Sequence, residues 1–213
     1  MDKDFIKLYV ANVSVFEDES LFNEELSKVS ILRRQKIKDL RFGRDKRLSL
    51  GVECLLRIAL SNEGRTDFEY QYDSYGKPYI KGNLFVNWSH SGEMAICAIS
   101  NNPVGCDVEI IKAAKLNLAK KYFTENENKL LENDADTMFC RIWSAKESFI
   151  KFTGLGFRQH LKTFEVDLSK GEILYSNRVY HLNEFNLDDK YRCCVCSLSD
   201  VPTELIEVDL SKK

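Results

Sequence analysis

The sequence predicts an α+β fold built from two similar α/β lobes, and three observations lead there. Helical periodicity is concentrated in residues 20–62 and 116–153, and a run of short strands follows each block. Ile96-Cys97-Ala98-Ile99-Ser100-Asn101-Asn102-Pro103 lines up with Val195-Cys196-Ser197-Leu198-Ser199-Asp200-Val201-Pro202 at a constant offset of 99, which suggests two related halves. The 213 residues suit one domain or two closely packed lobes of about a hundred residues each, and no Pro/Ser/Gly-rich linker or low-complexity tract separates them. The expected lobes are residues 1–103 and 104–213, although composition marks no cut.

Each element has its own signal. Phe5 to Val13 alternates through Ile6, Leu8 and Val10 and predicts a first strand. Leu21, Phe22, Leu26 and Val29 suit one helix, and Ile31 to Leu40 a second. A stronger helix is expected from about Asp45 to Asn62, with Leu48, Val52, Leu55 and Ala59 at helical spacing and Gly64 as its stop. Strands follow at Phe68–Tyr72, Leu84–Asn87, Glu93–Ser100 and Val104–Ile111. They are broken by Tyr75-Gly76-Lys77-Pro78 and by Asn101-Asn102-Pro103, the latter a hairpin signal. Leu116 to Leu131 reads as two short helices. Asp134 to Thr153 reads as a long one with Met138, Ile142, Ala145 and Phe149 as its core stripe and Gly154 as its end. From Phe164 onward the tail is strand-rich.

Bulk properties exclude several classes. A net charge of −2 and a pI near 6.0 argue against a general nucleic-acid binder, which would usually be strongly basic. Charge is nevertheless uneven, because eight basic residues between Arg33 and Arg47 face only Asp39 and Asp45, a local excess of six positive charges. Met1-Asp2-Lys3-Asp4 has acids where a signal peptide has a basic region, and no segment approaches eighteen apolar residues, so a soluble, cytoplasmic protein with no membrane contact is expected. The seven cysteines mostly sit inside apolar runs, as small buried residues of a reducing compartment do. Cys193, Cys194 and Cys196 alternate along a strand-like run without a second ligand pair, which favours a structural role over metal binding.

The most informative stretch runs from Gly105 to Lys151. In Gly105-Cys106-Asp107-Val108-Glu109 one apolar phase (Val104, Cys106, Val108, Ile110) leaves Asp107 and Glu109 together on the opposite face, half of a cation site. In Trp143-Ser144-Ala145-Lys146-Glu147-Ser148-Phe149-Ile150-Lys151 a spacing of four places Trp143, Glu147 and Lys151 on one helix face. Three carboxylates beside a lysine suit a hard divalent ion holding a phosphate. Asn87-Trp88-Ser89-His90-Ser91 is a polar knot between apolar strands, able to donate to an anion. It is poor evidence for a hydrolytic triad, and no G-x-S-x-G elbow is present.

Taken in order, these pieces resemble the 4′-phosphopantetheinyl transferases that serve peptide and polyketide synthases. That family carries a GKP turn, an N-x-S-H-S segment, a G-x-D-x-E strand and a W-x-x-K-E-x-x-x-K helix. Here they stand as Gly76-Lys77-Pro78, Asn87 to Ser91, Gly105 to Glu109 and Trp143 to Lys151. The resemblance extends across Arg47-Leu48-Ser49-Leu50-Gly51 and covers most of the chain.

The resemblance implies an α+β pseudo-dimer with coenzyme A in the cleft between lobes, a monomer rather than the trimer of shorter relatives, and an apo acyl or peptidyl carrier protein as partner. Mg2+ would bridge the pyrophosphate to Asp107, Glu109 and Glu147, with Lys151 on the phosphates. Arg47 and His90 would hold the 3′-phosphate, Lys77 and Pro78 would lie at the adenine, Ser89 would assist at the phosphates, and Lys38 would be a further contact. Glu127 is a candidate base for the carrier serine, directly or through a water, with Glu125 as the alternative. In the offset register Ile206 and Val208 stand opposite Asp107 and Glu109, so one active site is expected. A metal-dependent phosphohydrolase would use the same carboxylates but leave the lysine, GKP and SHS elements without a clear role. A non-catalytic coenzyme A binder could have lost the metal ligands.

Overall fold

A computed structural model describes residues 3–66, 70–73 and 77–212. The elements run β1 (Ile6–Asn12), α1 (Glu19–Ser27), α2 (Ile31–Asp39), α3 (Gly43–Asn62), β2 (Tyr70–Tyr72), β3 (Pro78–Ile80), β4 (Phe85–Ser91), β5 (Met94–Ser100) and β6 (Val104–Ile110). They continue with α4 (Leu116–Tyr122), α5 (Glu125–Lys129), α6 (Ala135–Thr153), β7 (Val166–Asp167), β8 (Glu172–Tyr175), β9 (Arg178–Leu187), β10 (Tyr191–Ser197) and β11 (Thr203–Glu207). The mixed α+β class is as expected. Phe68 and Gly76 lie outside the described residues, and no described helix is long and apolar enough to cross a membrane.

Helix ends follow local chemistry. The Asp18 carboxylate accepts from the Ser20 and Leu21 amides to start α1, and Ser30 and Asp134 cap α2 and α6 in the same way. Gly154 closes α6 at a φ of 72°, where a side chain would be strained.

Strands gather in two main sheets, one ordered β11-β1-β5-β4 and the other β6-β10-β9-β8-β7, with β2 and β3 as a separate pair. The alternating faces of β1 explain the packing. Tyr9 and Ala11 join Leu48, Val52, Leu55, Leu56 and Ala59 of α3 in one core. Ile6, Leu8 and Val10 meet Val104, Cys106, Val108, Cys193 and Val195 of the second sheet in another. Beyond that sheet Cys194 and Cys196 pack with Ala145, Phe149 and Ile150 of α6. The layers are therefore α3, first sheet, second sheet and α6. All seven cysteines are buried and unpaired, and those of β10 serve two different cores.

One expectation changes. The Asn101-Asn102-Pro103 turn does not close a hairpin, because β5 lies in the first sheet and β6 in the second. Residues 198–202 make the reverse crossing, returning β11 to pair parallel with β1. A turn signal reports reversal of the chain, and the partner it finds is set by burial: β6 is apolar on the face that covers the first sheet and so pairs with β10 instead. Strand order repeats, β1-β5-β4 with α3 on one side and β6-β10-β9 with α6 on the other.

Helix α6 approaches β6 closely at Gly105. A methyl group there would lie 2.1 Å from the Ser148 carbonyl oxygen and 2.4 Å from the Phe152 nitrogen, both backbone atoms of α6. Gly105→Ala should therefore cost about 3 kcal/mol or more, at the upper end of overpacking effects, and urea unfolding checks it.

Candidate active site

The site forms where the free edge of β6 meets the free edge of β4. No backbone ladder joins these strands, and side chains of β4 take its place. The Asn87 Oδ1 accepts from the Cys106 amide at 2.9 Å, and the Ser91 Oγ accepts from the Ile110 amide at 3.2 Å. The Ser89 hydroxyl donates to Asp107 Oδ1 at 2.7 Å and the Ser91 hydroxyl to Glu109 Oε2 at 3.0 Å. Spacing by two on each strand keeps both sets in step. The sequence had singled out Ser89; Ser91 and Asn87, members of the same motif, are equally engaged.

Lys151, from the last turn of α6, completes the cluster. Its ammonium lies 2.7 Å from Asp107 Oδ1 and 3.4 Å from the Trp88 carbonyl oxygen. Burial alone would lower its pKa, but the Asp107 carboxylate more than offsets that and the pKa is raised. Burial, with the like charge of Asp107, pushes Glu109 up to about 7 and also raises Glu147. His90 is exposed on β4, its pKa lowered by partial desolvation and by the Lys151 ammonium, while Asp45 and Asp107 pull the other way.

The donor set fits a hard cation. Asp107 Oδ2 is buried with no hydrogen-bond partner, and the neighbouring Glu109 and Glu147 carboxyls are disfavoured in their charged forms by its proximity. Among the described residues no three His, Cys, Asp or Glu side chains already converge at ligand distance. The Lys151 ammonium pairs with Asp107 Oδ1 and leaves Oδ2 without a partner.

The other expected residues are spread around this cluster. Arg47, in the opening turns of α3, places Nη2 3.4 Å from Glu17 and 3.5 Å from Glu93. Lys77 donates to the Phe152 carbonyl oxygen at 2.6 Å near the end of α6, and desolvation lowers its pKa. The backbone of Pro78 opens β3 opposite Tyr72. Lys38 is exposed on α2, and among the described residues no hydrogen bond or ion pair ties it to Asp107, Glu109 or Glu147.

Glu127 is placed apart from what its expected role as a base suggests, since it is only 1% exposed and both carboxylate oxygens are occupied. Oε1 lies 2.9 Å from Lys146 Nζ and accepts from the Val166 amide at 2.9 Å, and Oε2 accepts from the Thr124 amide at 2.7 Å. With the Thr124 hydroxyl it forms a capping box on α5. Lys146 is wholly buried and also donates to the Leu161 and Phe164 carbonyl oxygens at 2.8 and 3.0 Å. Thr-x-x-Glu was a readable capping signal. Glu125 stands in the first turn of α5, on the exposed surface.

Two predictions follow from this geometry. Glu127→Ala strands a buried ammonium, so unfolding free energy should fall by roughly 3–5 kcal/mol; an exposed base would leave stability nearly unchanged, and denaturant titration separates the cases. The Glu109 pKa is raised on folding, so between its ordinary value and about 7 the folded state holds the extra proton and stability falls as pH rises. Glu109→Gln removes that loss. The variant should gain up to ~3 kcal/mol on the parent between about pH 5 and about pH 8 in metal-free urea titrations.

Comparison with known proteins agrees with the geometry. The family profile described as the 4′-phosphopantetheinyl transferase superfamily matches residues 103–197, the span containing β6, α6 and β10. The 4′-phosphopantetheinyl transferase gsp of Aneurinibacillus migulanus is 32% identical over 199 residues, covering 88% of this chain and 84% of its own. The 4′-phosphopantetheinyl transferase Sfp of Bacillus subtilis (strain 168) is 30% identical over 213 residues, 91% of this chain and 95% of its own. The 4′-phosphopantetheinyl transferase ffp of Bacillus subtilis is 30% identical over 210 residues, 90% and 94% respectively. With a carboxylate–lysine cluster at the heart of the matched span, the chain belongs to the 4′-phosphopantetheinyl transferase superfamily and is an enzyme of that activity.

Proposed function

We propose that this enzyme moves the 4′-phosphopantetheine arm of coenzyme A onto a serine of an apo acyl or peptidyl carrier protein, with Mg2+ held by Asp107, Glu109 and Glu147, and releases adenosine 3′,5′-bisphosphate. The observation that carries the metal and phosphate assignment is the buried, unpartnered Asp107 Oδ2 beside two carboxyls whose charged forms it disfavours. Bound there, the ion would supply Lewis-acid stabilisation of charge on the transferring phosphate.

The chain's own groups have separable tasks. Lys151 exchanges Asp107 for the phosphate oxygens and balances the charge that grows on the leaving group. Ser89 and Ser91 hold the Asp107 and Glu109 carboxylates against rotation. Arg47 and His90 receive the 3′-phosphate, and Lys77 with Pro78 borders the adenine. With Glu147 on the metal, Glu125, exposed in the first turn of α5, is the candidate to take the serine proton, directly or through a water. We assign Glu127 to anchoring α5 and residues 161–166 on Lys146, because both of its oxygens are already engaged.

The recurrence of β1-β5-β4 with α3 and β6-β10-β9 with α6 supports a pseudo-dimer of two lobes, residues 1–103 and 104–213, acting as a monomer. A single centre fits because β1, the strand that stands where β6 does in this repeat, carries no carboxylate, and because Ile206 and Val208, opposite the acidic pair in the 99-residue offset, pack on the first core. The same function places the enzyme in the cytoplasm, where coenzyme A and carrier proteins meet.

The test is incubation with coenzyme A, Mg2+ and an apo carrier, read by intact mass. A phosphopantetheine adduct should form, and Asp107→Ala should slow it by ~10²-fold or more, the scale of several kcal/mol of lost charge stabilisation. Coenzyme A consumed without an adduct would instead indicate hydrolysis.

A further inference from the structure

The Arg47 guanidinium is incompletely satisfied. Its Nε is buried with no hydrogen-bond partner, and its Nη2 has three carboxylate oxygens around it at a loose 3.4–3.5 Å: Glu17 Oε1 and both oxygens of Glu93. A well-formed charge-assisted bond would be ~2.7–2.9 Å. The helix that carries Arg47 begins at Phe42 with no side-chain acceptor for its first amides. Arg47 is therefore under-bonded at the start of an uncapped helix, with carboxylates standing where an anion would go.

Glu93 is the better fixed of the two carboxylates. Its amide donates to the Tyr191 hydroxyl at 3.0 Å and its carbonyl accepts from the Val13 amide at 2.8 Å, so its backbone is pinned at both polar groups while its carboxylate meets Arg47 only loosely. It directly follows the β4 segment whose Ser89 and Ser91 hold the acidic pair. A carboxylate at the mouth of an anion site opposes every anion that enters.

Building on the assignment of Arg47 to the 3′-phosphate, we propose that Glu93 is a specificity-determining residue that competes with the donor for Arg47. It neutralises the guanidinium in the free enzyme, yields to a doubly charged phosphate that can also satisfy Nε, and reclaims Arg47 as the bisphosphate product departs. Donors without a 3′-phosphate have no means of displacing it, so their affinity is independent of Glu93.

Glu93→Gln keeps the pinned backbone and removes the charge. By calorimetry with Mg2+ present, coenzyme A and adenosine 3′,5′-bisphosphate should bind the variant roughly 3- to 10-fold tighter, above the effect of a fully exposed pair. The affinity for 3′-dephospho-coenzyme A should stay unchanged. In the Arg47→Ala background the Glu93→Gln gain should vanish. Equal affinities for coenzyme A in Glu93→Gln and the parent, or the same gain for the dephospho donor, would overturn the proposal. The underlying assignment fails separately: if Arg47→Ala leaves the preference for coenzyme A over its dephospho form intact, Arg47 does not hold that phosphate. If the preference falls but Glu93→Gln changes nothing, the competition alone is wrong.

Discussion

The site depends on the contact between the α6 backbone and β6 at Gly105. A helix normally stands off a sheet by the length of its side chains, and here the missing Cβ lets the Ser148 and Phe152 backbone come into van der Waals range of the strand. That approach is what lets Lys151, in the last turn of the helix, reach Asp107 only two residues further along the strand. Any residue larger than glycine would lift the helix and separate the ammonium from its carboxylate. The glycine thus sets the geometry of the cluster although it has no functional group.

The second constraint is the unpaired edge of β6. An edge strand exposes amides that must find acceptors. Asn87 and Ser91 supply two of them from β4, and the serines that lie in register with Asp107 and Glu109 fix those carboxylates by the same period-two alternation. This explains why the motif alternates asparagine, serine and serine, with Trp88 and His90 pointing elsewhere. Edge protection and carboxylate orientation are one device, so a change at Ser91 would loosen the joint between sheets as well as Glu109.

Much of this was legible in the sequence because it rests on short-range periodicity. The apolar phase of Val104, Cys106 and Val108 set which face Asp107 takes, and the four-residue spacing set Glu147 with Lys151. What was not legible depends on long-range partners. Asn101-Asn102-Pro103 signals a reversal but carries nothing that says β6 will join a different sheet. The resemblance made Glu127 a candidate base, and nothing in its local sequence showed it to be buried. Its burial comes from Lys146 and Val166, nineteen and thirty-nine residues away, which no local pattern announces. The capping box Thr124–Glu127 was the one local clue that its carboxylate was already committed.

The two buried lysine–carboxylate pairs on α6 divide stability from function. Lys146 is anchored by three oxygens, Glu127 Oε1 and the Leu161 and Phe164 carbonyls, which tie α6 to α5 and to residues 161–164. Lys151, five residues on, has one short carboxylate contact and one long carbonyl contact, and its partner keeps a second oxygen buried and unused. In the proposed reaction such a pair is exchanged, a cation taking Asp107 and a phosphate taking Lys151, each losing one charged neighbour and gaining another. With the fixed pair on the inner face and the less constrained pair at the strand edge, one helix can hold the core rigid and, under the proposed function, still turn its charges to substrate.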